Sequence, residues 1–114
     1  MSDCLFCKMA AGVITPNTVF ETPQILAFRD IHPQAPTHVL IIPKRHISTI
    51  NDLQPEDAGL IGEMLLAAKT VAQQDSITQS GYRTVMNCNG DGGQSVFHIH
   101  LHVLGGRALG WPPG

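Results

Sequence analysis

Residues Ser95–Gly106 read SVFHIHLHVLGG. Histidines stand at 98, 100 and 102, with Ile99, Leu101 and Val103 at the positions in between and after. Successive side chains on a strand point to opposite faces, so alternation of this kind gives a strand two unlike faces. The spacing predicts a strand over Phe97–Leu104, apolar toward a core on one side and imidazole on the other. Packing alone does not account for the imidazoles, because each buried ring needs hydrogen-bond partners that an aliphatic side chain does not. Zinc accounts for two, since histidines at i and i+2 can ligate one ion. It does not account for three, because at ~3.3 Å per residue His98 and His102 stand ~13 Å apart along the strand. The third ring needs another task.

On the N-terminal side lies NGDGGQ, residues 89–94, followed by Ser95. Small residues leave backbone N–H groups uncovered, and such nests hold anions, phosphate included. Ser95 adds a hydroxyl. The loop matches neither the P-loop nor the Rossmann fingerprint, and Ser95 is not in a G-x-S-x-G elbow, which disfavours a serine hydrolase. Beside an imidazole row, the loop places a bound phosphate near a nucleophilic nitrogen.

The rest of the chain supplies a scaffold. Cys4–Ala11 reads as a short helix stopped at Gly12. Thr18–Glu21 and Ile25–Arg29 read as strands joined by a tight turn at Thr22-Pro23. IHPQAPTH is a loop, and HVLIIPK is a continuous apolar run that suits a central strand ended by Pro43. From Pro55 the period changes: Leu60, Met64, Ala67 and Val71 mark one face of a long helix. Asp52 is the expected N-cap and Pro55 falls in the first turn, with Glu56 and Asp57 at the positive end of the dipole. A second row, Ile61, Leu65 and Ala68, widens the stripe. Such a stripe serves a core alone, or a core and a partner subunit together. Tyr82–Cys88 is a further strand. No βαβ repeat is present, so the class is α+β with a mainly antiparallel sheet.

Composition narrows the function. A chain of 114 residues is the size of one domain, here residues 1–114 with a C-terminal tail from about 105. Its seven Lys and Arg are scattered and the formal charge is -2, so a nucleic-acid polymer is not the expected partner. No apolar run reaches the length that spans a membrane, and MSDCLFCKMAAG does not read as a signal peptide. Three cysteines, Cys4, Cys7 and Cys88, are an odd count with one close pair. That argues against a secreted disulfide framework and for a reduced, cytoplasmic setting. Cys88 reads as a buried apolar residue and His32 as a loop residue.

HIHLHVLGG resembles the signature of the histidine triad (HIT) superfamily, His-x-His-x-His followed by apolar residues. FRDIHPQAPTHVLIIPKRHIS, DGGQSVFHIHLHVLGGR and the terminal WPPG extend the likeness to the Hint branch, the nucleoside phosphoramidases. The tail favours that branch over the Fhit-like dinucleoside polyphosphate hydrolases, and a nucleotide- or zinc-binding interaction module is the non-enzymatic alternative. The resemblance implies a five-stranded antiparallel sheet with one long and one short helix, pairing as a homodimer into a joined sheet. It implies hydrolysis of the P–N bond of purine nucleoside 5'-phosphoramidates through a nucleotidyl-histidine intermediate, with no cofactor required for catalysis.

By position, the resemblance makes His100 the nucleophile, its other ring nitrogen bonded to the backbone carbonyl of His98. His102 donates to a phosphate oxygen, His38 completes the polar set, and Ser95 contacts the leaving group or phosphate. Gln94 and the Gly93–Ser95 backbone line the phosphate site, and Asn87 also faces the nucleotide. Asp30 binds the ribose, and Ile31, Phe6 and Phe28 wall the base, although core packing accounts for the two phenylalanines equally well. Trp111 reaches the partner's site or anchors the tail. Some relatives bind zinc through a Cys-x-x-Cys pair and two histidines, and Cys4, Cys7, His46 and His98 match those positions. A reduced thiol pair without metal is the other reading of the cysteines. A redox role is disfavoured, since no thioredoxin-like βαβ unit surrounds the pair.

Overall fold

The computed structural model describes residues 3–114. In chain order it contains α1 (Leu5–Ala10), β1 (Thr18–Glu21), β2 (Ile25–Arg29), β3 (Thr37–Pro43), α2 (Ala58–Gln74), β4 (Tyr82–Val85), α3 (Asn89–Gly92) and β5 (Leu101–Gly105). The strands form one sheet in the order β1-β2-β3-β5-β4, every neighbour antiparallel. This is the five-stranded architecture expected, with one long helix and short ones. The apolar run of β3 is buried along its whole length, as its place at the centre of the sheet requires.

Register assigns each face its work. Phe28 stands opposite Leu40, and Leu40 opposite His102. Directly opposed residues share a face, as do i and i+2, so Leu26, Phe28, His38, Leu40, Ile42 and His102 all lie on one side. Phe6 of α1 packs there with Leu26, Phe28, Leu40 and Ile42. The other face carries Ile25, Ala27, Val39, Ile41, Leu101 and Val103, which pack against Met64, Ala67, Ala68 and Val71 of α2. One face therefore holds the fold together and the other is left for a site. Of the second apolar row on α2, Ala68 is buried while Leu65 is 50% exposed, and the adjacent Leu66 is 67% exposed.

The far end of α2 is fixed by Asp75. Its carboxylate accepts two bonds from the Arg29 guanidinium, at 2.6 and 2.8 Å, and one from the Thr37 hydroxyl at 2.7 Å. The Arg29 bonds hold the Asp75 carboxyl below its ordinary pKa range.

Four elements depart from the sequence expectation. The last strand begins at Leu101, not Phe97, and its ladder stops at the pair Ile41–Leu101. Continued in the same register, the strands would bring Pro43 opposite Ile99 one pair beyond Ile42 and His100, and Pro43 has no N–H to give. The Pro43 carbonyl is instead taken by the ring of His98, and Ile99 N–H turns to the carbonyl of Ile47. β4 ends at Val85, not Cys88: its ladder with β5 stops at the pair Val85–His102. Asp52 does not cap the long helix: two 3-10 turns, Ile50–Asp52 and Pro55–Asp57, precede α2, and Asp52 accepts from the N–H of Thr49 in a local capping box. Residues 89–92 form a single helical turn within the expected loop, and Cys88, at its N-cap, is only partly buried.

The paired glycines after the triad are required by crowding and by conformation. A Cβ on Gly105 would fall 2.5 Å from the Ile77 side chain, and Gly106 sits at φ +89°, a region L side chains rarely adopt. Together they end β5 and turn the chain against Pro36.

Candidate functional site

A cavity of about 520 Å³ opens on the imidazole face of the sheet. Its wall takes Phe6 and Met9 from α1, Phe28 from β2, Asp30 and Ile31 from the loop after it, and Ser95, His100 and His102 from the triad segment. The wall is mainly apolar toward α1 and Phe28 and polar toward the histidines. Seven residues singled out from sequence thus meet at one cavity: Phe6, Phe28, Asp30, Ile31, Ser95, His100 and His102. Asn87, Gly93, Gln94 and Trp111 are not part of that wall. The Gln94 amide braces the loop, donating to the carbonyls of Ser48 and Val96 and accepting from Asn89 N–H. Trp111 is 83% exposed, with the Arg83 guanidinium 6.0 Å from its ring.

Hydrogen bonds fix the tautomers of three rings. His100 Nδ1 lies 2.8 Å from the carbonyl oxygen of His98. A carbonyl only accepts, so Nδ1 carries the proton and Nε2 keeps its lone pair. The edge of Phe6 packs against the same ring, centroids 5.1 Å apart. His38 Nδ1 accepts from the backbone N–H of Gln34 at 3.0 Å, so neutral His38 carries its proton on Nε2, 2.9 Å from His102 Nδ1. His102 accepts there and retains Nε2–H as its remaining donor. One backbone amide thus sets two imidazoles in series, one of them at the cavity. Asp30 Oδ2 lies 3.5 Å from His38 Nε2, and Asp30 Oδ1 accepts from His32 N–H.

Asp30, His38 and His102 stand close enough together to enclose a cation. The bonding pattern argues against that use. Gln34 N–H occupies His38 Nδ1 and leaves the proton on Nε2, where a metal would need a lone pair.

Burial, helped by the neighbouring His100 and His38, pushes His102 down to about 4, and burial also lowers His38. Both rings are neutral near pH 7, where Nε2–H of His102 is a hydrogen-bond donor without being an acid. Each must take up a proton when the chain unfolds below its ordinary value of 6.5. Their contribution to stability is therefore complete above that value and is lost as pH falls toward about 4. The urea midpoint should be flat above pH ~7, and stability should drop by roughly 1 kcal/mol at pH 5, half the unscreened linkage because His102 is partly solvated. The replacement His102→Asn should reduce that slope and leave the part due to His38 and His98, which burial also lowers.

The second cluster lies behind the first. The Sγ atoms of Cys4 and Cys7 and the Nδ1 atoms of His46 and His98 all fall within 4.8 Å of one another. Cys4 Sγ and Cys7 Sγ stand 3.4 and 3.5 Å from His98 Nδ1, Cys7 Sγ stands 3.2 Å from His46 Nδ1, and the two Nδ1 atoms are 3.2 Å apart. A tetrahedral zinc site with Zn–N of ~2.0–2.1 Å and Zn–S of ~2.3 Å has edges of ~3.3–3.8 Å. The remaining nitrogen of each ring is engaged: His98 Nε2–H donates to the carbonyl of Pro43 at 2.7 Å, and His46 Nε2 is 3.1 Å from the hydroxyl of Ser48. Outer partners of this kind aim ligand nitrogens at a metal. The four residues could therefore hold a metal ion, to judge by donor type, spacing and orientation.

Sequence reasoning missed the Gln34 amide and the Pro43 carbonyl, because backbone groups leave no mark in the residue alphabet. Leu40, also in the cavity wall, was within reach: it lies two residues after His38 on one strand. Met9 and Asn17, also on the wall, had no signal.

The HIT domain family model matches residues 11–109. A purine nucleoside phosphoramidase of Escherichia coli K12 is 46% identical over 108 residues, covering 95% of this chain and 91% of that protein. The crystal structure of a HIT family hydrolase from Legionella pneumophila Philadelphia 1 superposes with a TM-score of 0.96 at 58% identity, covering 98% of this chain and all of that one. A histidine triad nucleotide-binding protein from Candida albicans superposes at 0.82 with 30% identity, covering 96% of this chain and 83% of that chain.

Proposed function

This chain belongs to the HIT domain family, and from that premise we propose that it is a purine nucleoside phosphoramidase. The substrate is a purine nucleoside 5'-phosphoramidate, and the bond cleaved is P–N. The observation that carries the reading is the bond from His100 Nδ1–H to the carbonyl of His98, which leaves a nucleophilic Nε2 lone pair at the cavity.

The nucleotide's base lies among Phe6, Phe28 and Ile31, its ribose hydroxyls meet Asp30, and its phosphate meets His100, His102 and Ser95. His100 Nε2 attacks the α-phosphorus as the P–N bond breaks, and the amine departs after taking up a proton. His102 Nε2–H donates to a phosphate oxygen on which charge develops, and it does so without losing its own proton. Water then attacks the phosphorus, the P–Nε2 bond breaks, and the nucleoside monophosphate leaves with the His100 lone pair restored. Phosphoryl transfer of this kind depends chiefly on positioning and charge stabilisation, which a ring locked in one tautomer supplies. Asn87, Gly93, Gln94 and Trp111 are proposed to act from outside the single-chain cavity wall: the first three by shaping the phosphate side of the loop, Trp111 by reaching the site of a second copy. The exposed Leu65 and Leu66 of α2 support a homodimer formed through that helix.

The Cys4, Cys7, His46 and His98 group is proposed to hold zinc. Bound there, the ion would supply folding free energy as a closed structural site, and no step of hydrolysis passes through it. The catalytic reading is tested by quenching the protein with acid-labile adducts preserved during turnover of adenosine 5'-phosphoramidate, and mapping the AMP mass by peptide sequencing. The adduct is expected on His100. A burst-phase adduct on any other residue, or single-step kinetics with no adduct, refutes it.

A further inference from the structure

The thiol pair lies outside the reaction proposed above, yet two short paths join it to the nucleophile. The first runs through His98. Its ring nitrogen Nδ1 stands 3.4 and 3.5 Å from the two sulfurs, and its carbonyl holds the proton on His100. The second runs through α1. Cys4 is the N-cap of that helix, its sulfur accepting the N–H of Cys7 at 3.3 Å, and between them sits Phe6. The Phe6 edge packs on His98 and His100, at centroid distances of 5.8 and 5.1 Å. The two sulfurs thus touch the ring of the residue whose carbonyl supports the nucleophile and cap the helical turn that carries its other support, Phe6.

The pair is also accessible. An open cavity of about 820 Å³ is bordered by Cys4, Cys7, Lys8 and His46. Both cysteines are partly exposed, and His46 is exposed. Their sulfurs lie within 4.8 Å, against ~2.05 Å in a disulfide, so a shift of less than 3 Å, roughly, would join them. The missing thioredoxin-like context argues against an oxidoreductase. It does not bear on modification of the pair by a small oxidant.

We propose that Cys4 and Cys7 are a redox modification site, closed by peroxide to a disulfide that reversibly lowers the activity of His100. One thiolate attacks a peroxide oxygen and becomes a sulfenic acid as the O–O bond breaks, the other oxygen leaving as water once protonated. The second thiolate attacks the sulfenic sulfur, the S–S bond forms, and the remaining oxygen leaves as water. Two electrons pass from sulfur to peroxide, and a dithiol returns them. The S–S bond withdraws both sulfurs from His98 and His46, releases any metal the four donors hold, and shifts the N-cap of α1 and with it Phe6. Misplacing a catalytic group by 1 Å can lower a rate ~100-fold, so loss of one support is expected to lower turnover by ~10-fold.

The activity readout rests on the phosphoramidase reading, so turnover by the reduced, zinc-loaded protein is established first; its absence counts against that reading and not this one. Hydrogen peroxide is then added in steps. Expected is a loss of two hydrogens mapped to the peptide joining Cys4 and Cys7, release of zinc to a chromogenic chelator in step with it, and a parallel fall in turnover, all reversed by dithiothreitol. Cys88→Ser should respond as wild type does, and Cys7→Ser should show no reversible response. The proposal is overturned if peroxide leaves the pair reduced while other residues oxidise, if the disulfide forms with turnover unchanged, or if Cys7→Ser loses turnover reversibly as wild type does. Should Cys7→Ser not fold, the time courses of disulfide formation and activity loss in wild type decide the matter, and a mismatch between them overturns it.

Discussion

Replacing His100 with alanine is expected to reduce turnover of adenosine 5'-phosphoramidate by ~10⁴-fold while leaving a folded protein that still binds AMP, in line with losses seen when a covalent nucleophile is removed. The size follows from what remains. Without Nε2 the phosphorus has no partner in the first step, and water must attack without the two-step route. The fold is affected much less. His100 is at the cavity wall, outside the β5 ladder, so water can enter the vacated space and satisfy the carbonyl of His98. A second variant, His100→Gly, gives the same loss and leaves room for a free imidazole, which should restore part of the rate by attacking phosphorus in place of the missing ring. Turnover by a folded His100→Ala protein at the wild-type rate would remove the proposed intermediate. Failure of imidazole to restore any rate to a folded, AMP-binding His100→Gly would count against a nucleophilic role and for a positioning one.

The parts of this molecule that sequence could reveal are those written in side-chain periods. The alternation through Val103 placed the histidines opposite a core face, and Ile99 and Val103 are indeed fully buried. The spacing of Leu60, Met64, Ala67 and Val71 marked the face of α2 that meets the sheet, and Met64, Ala67 and Val71 are buried there. What escaped was written in backbone bonding. Nothing in HVLIIPK shows that the carbonyl of Pro43 will leave the ladder for the ring of His98, so the triad segment looked like one unbroken strand. That break separates the three histidines into different roles. His98 turns inward to the sulfur cluster, His100 takes its tautomer from the main chain of His98, and His102 alone remains in the sheet. The period of two brought them together, and the end of the ladder set them apart. The spacing of Cys4 and Cys7 suited a metal by itself, but His46 and His98 were legible as their partners only through resemblance, because His46 stands 39 residues from Cys7 and no local pattern links them.

That division of labour predicts opposite outcomes for neighbouring histidines. His98→Ala should damage stability far more than His100→Ala and catalysis far less. The His98 ring is fully buried, packs on the edges of Phe6 and His46, and donates to the Pro43 carbonyl at 2.7 Å. Removing it leaves a cavity and an unpaired carbonyl together, a loss of ~3–5 kcal/mol. For a domain of this size each kcal/mol moves Tm by about 4 °C or more, so a fall of ~10–20 °C is expected. Zinc content, measured on the purified chain, should fall from one per chain to none, since three donors do not close a tetrahedral site. Below the new Tm, turnover should remain within ~10–100-fold of wild type, because the carbonyl that orients His100 belongs to the main chain and survives the substitution. His98→Gln separates the two functions of the ring. Its amide N–H can reach the Pro43 carbonyl in place of Nε2–H and should recover part of the lost stability, while the missing Nδ1 leaves zinc unbound. Unchanged Tm and full zinc occupancy in His98→Ala would exclude this residue from the metal cluster, and loss of turnover equal to that of His100→Ala in protein kept cold and folded would place its ring in the chemistry itself.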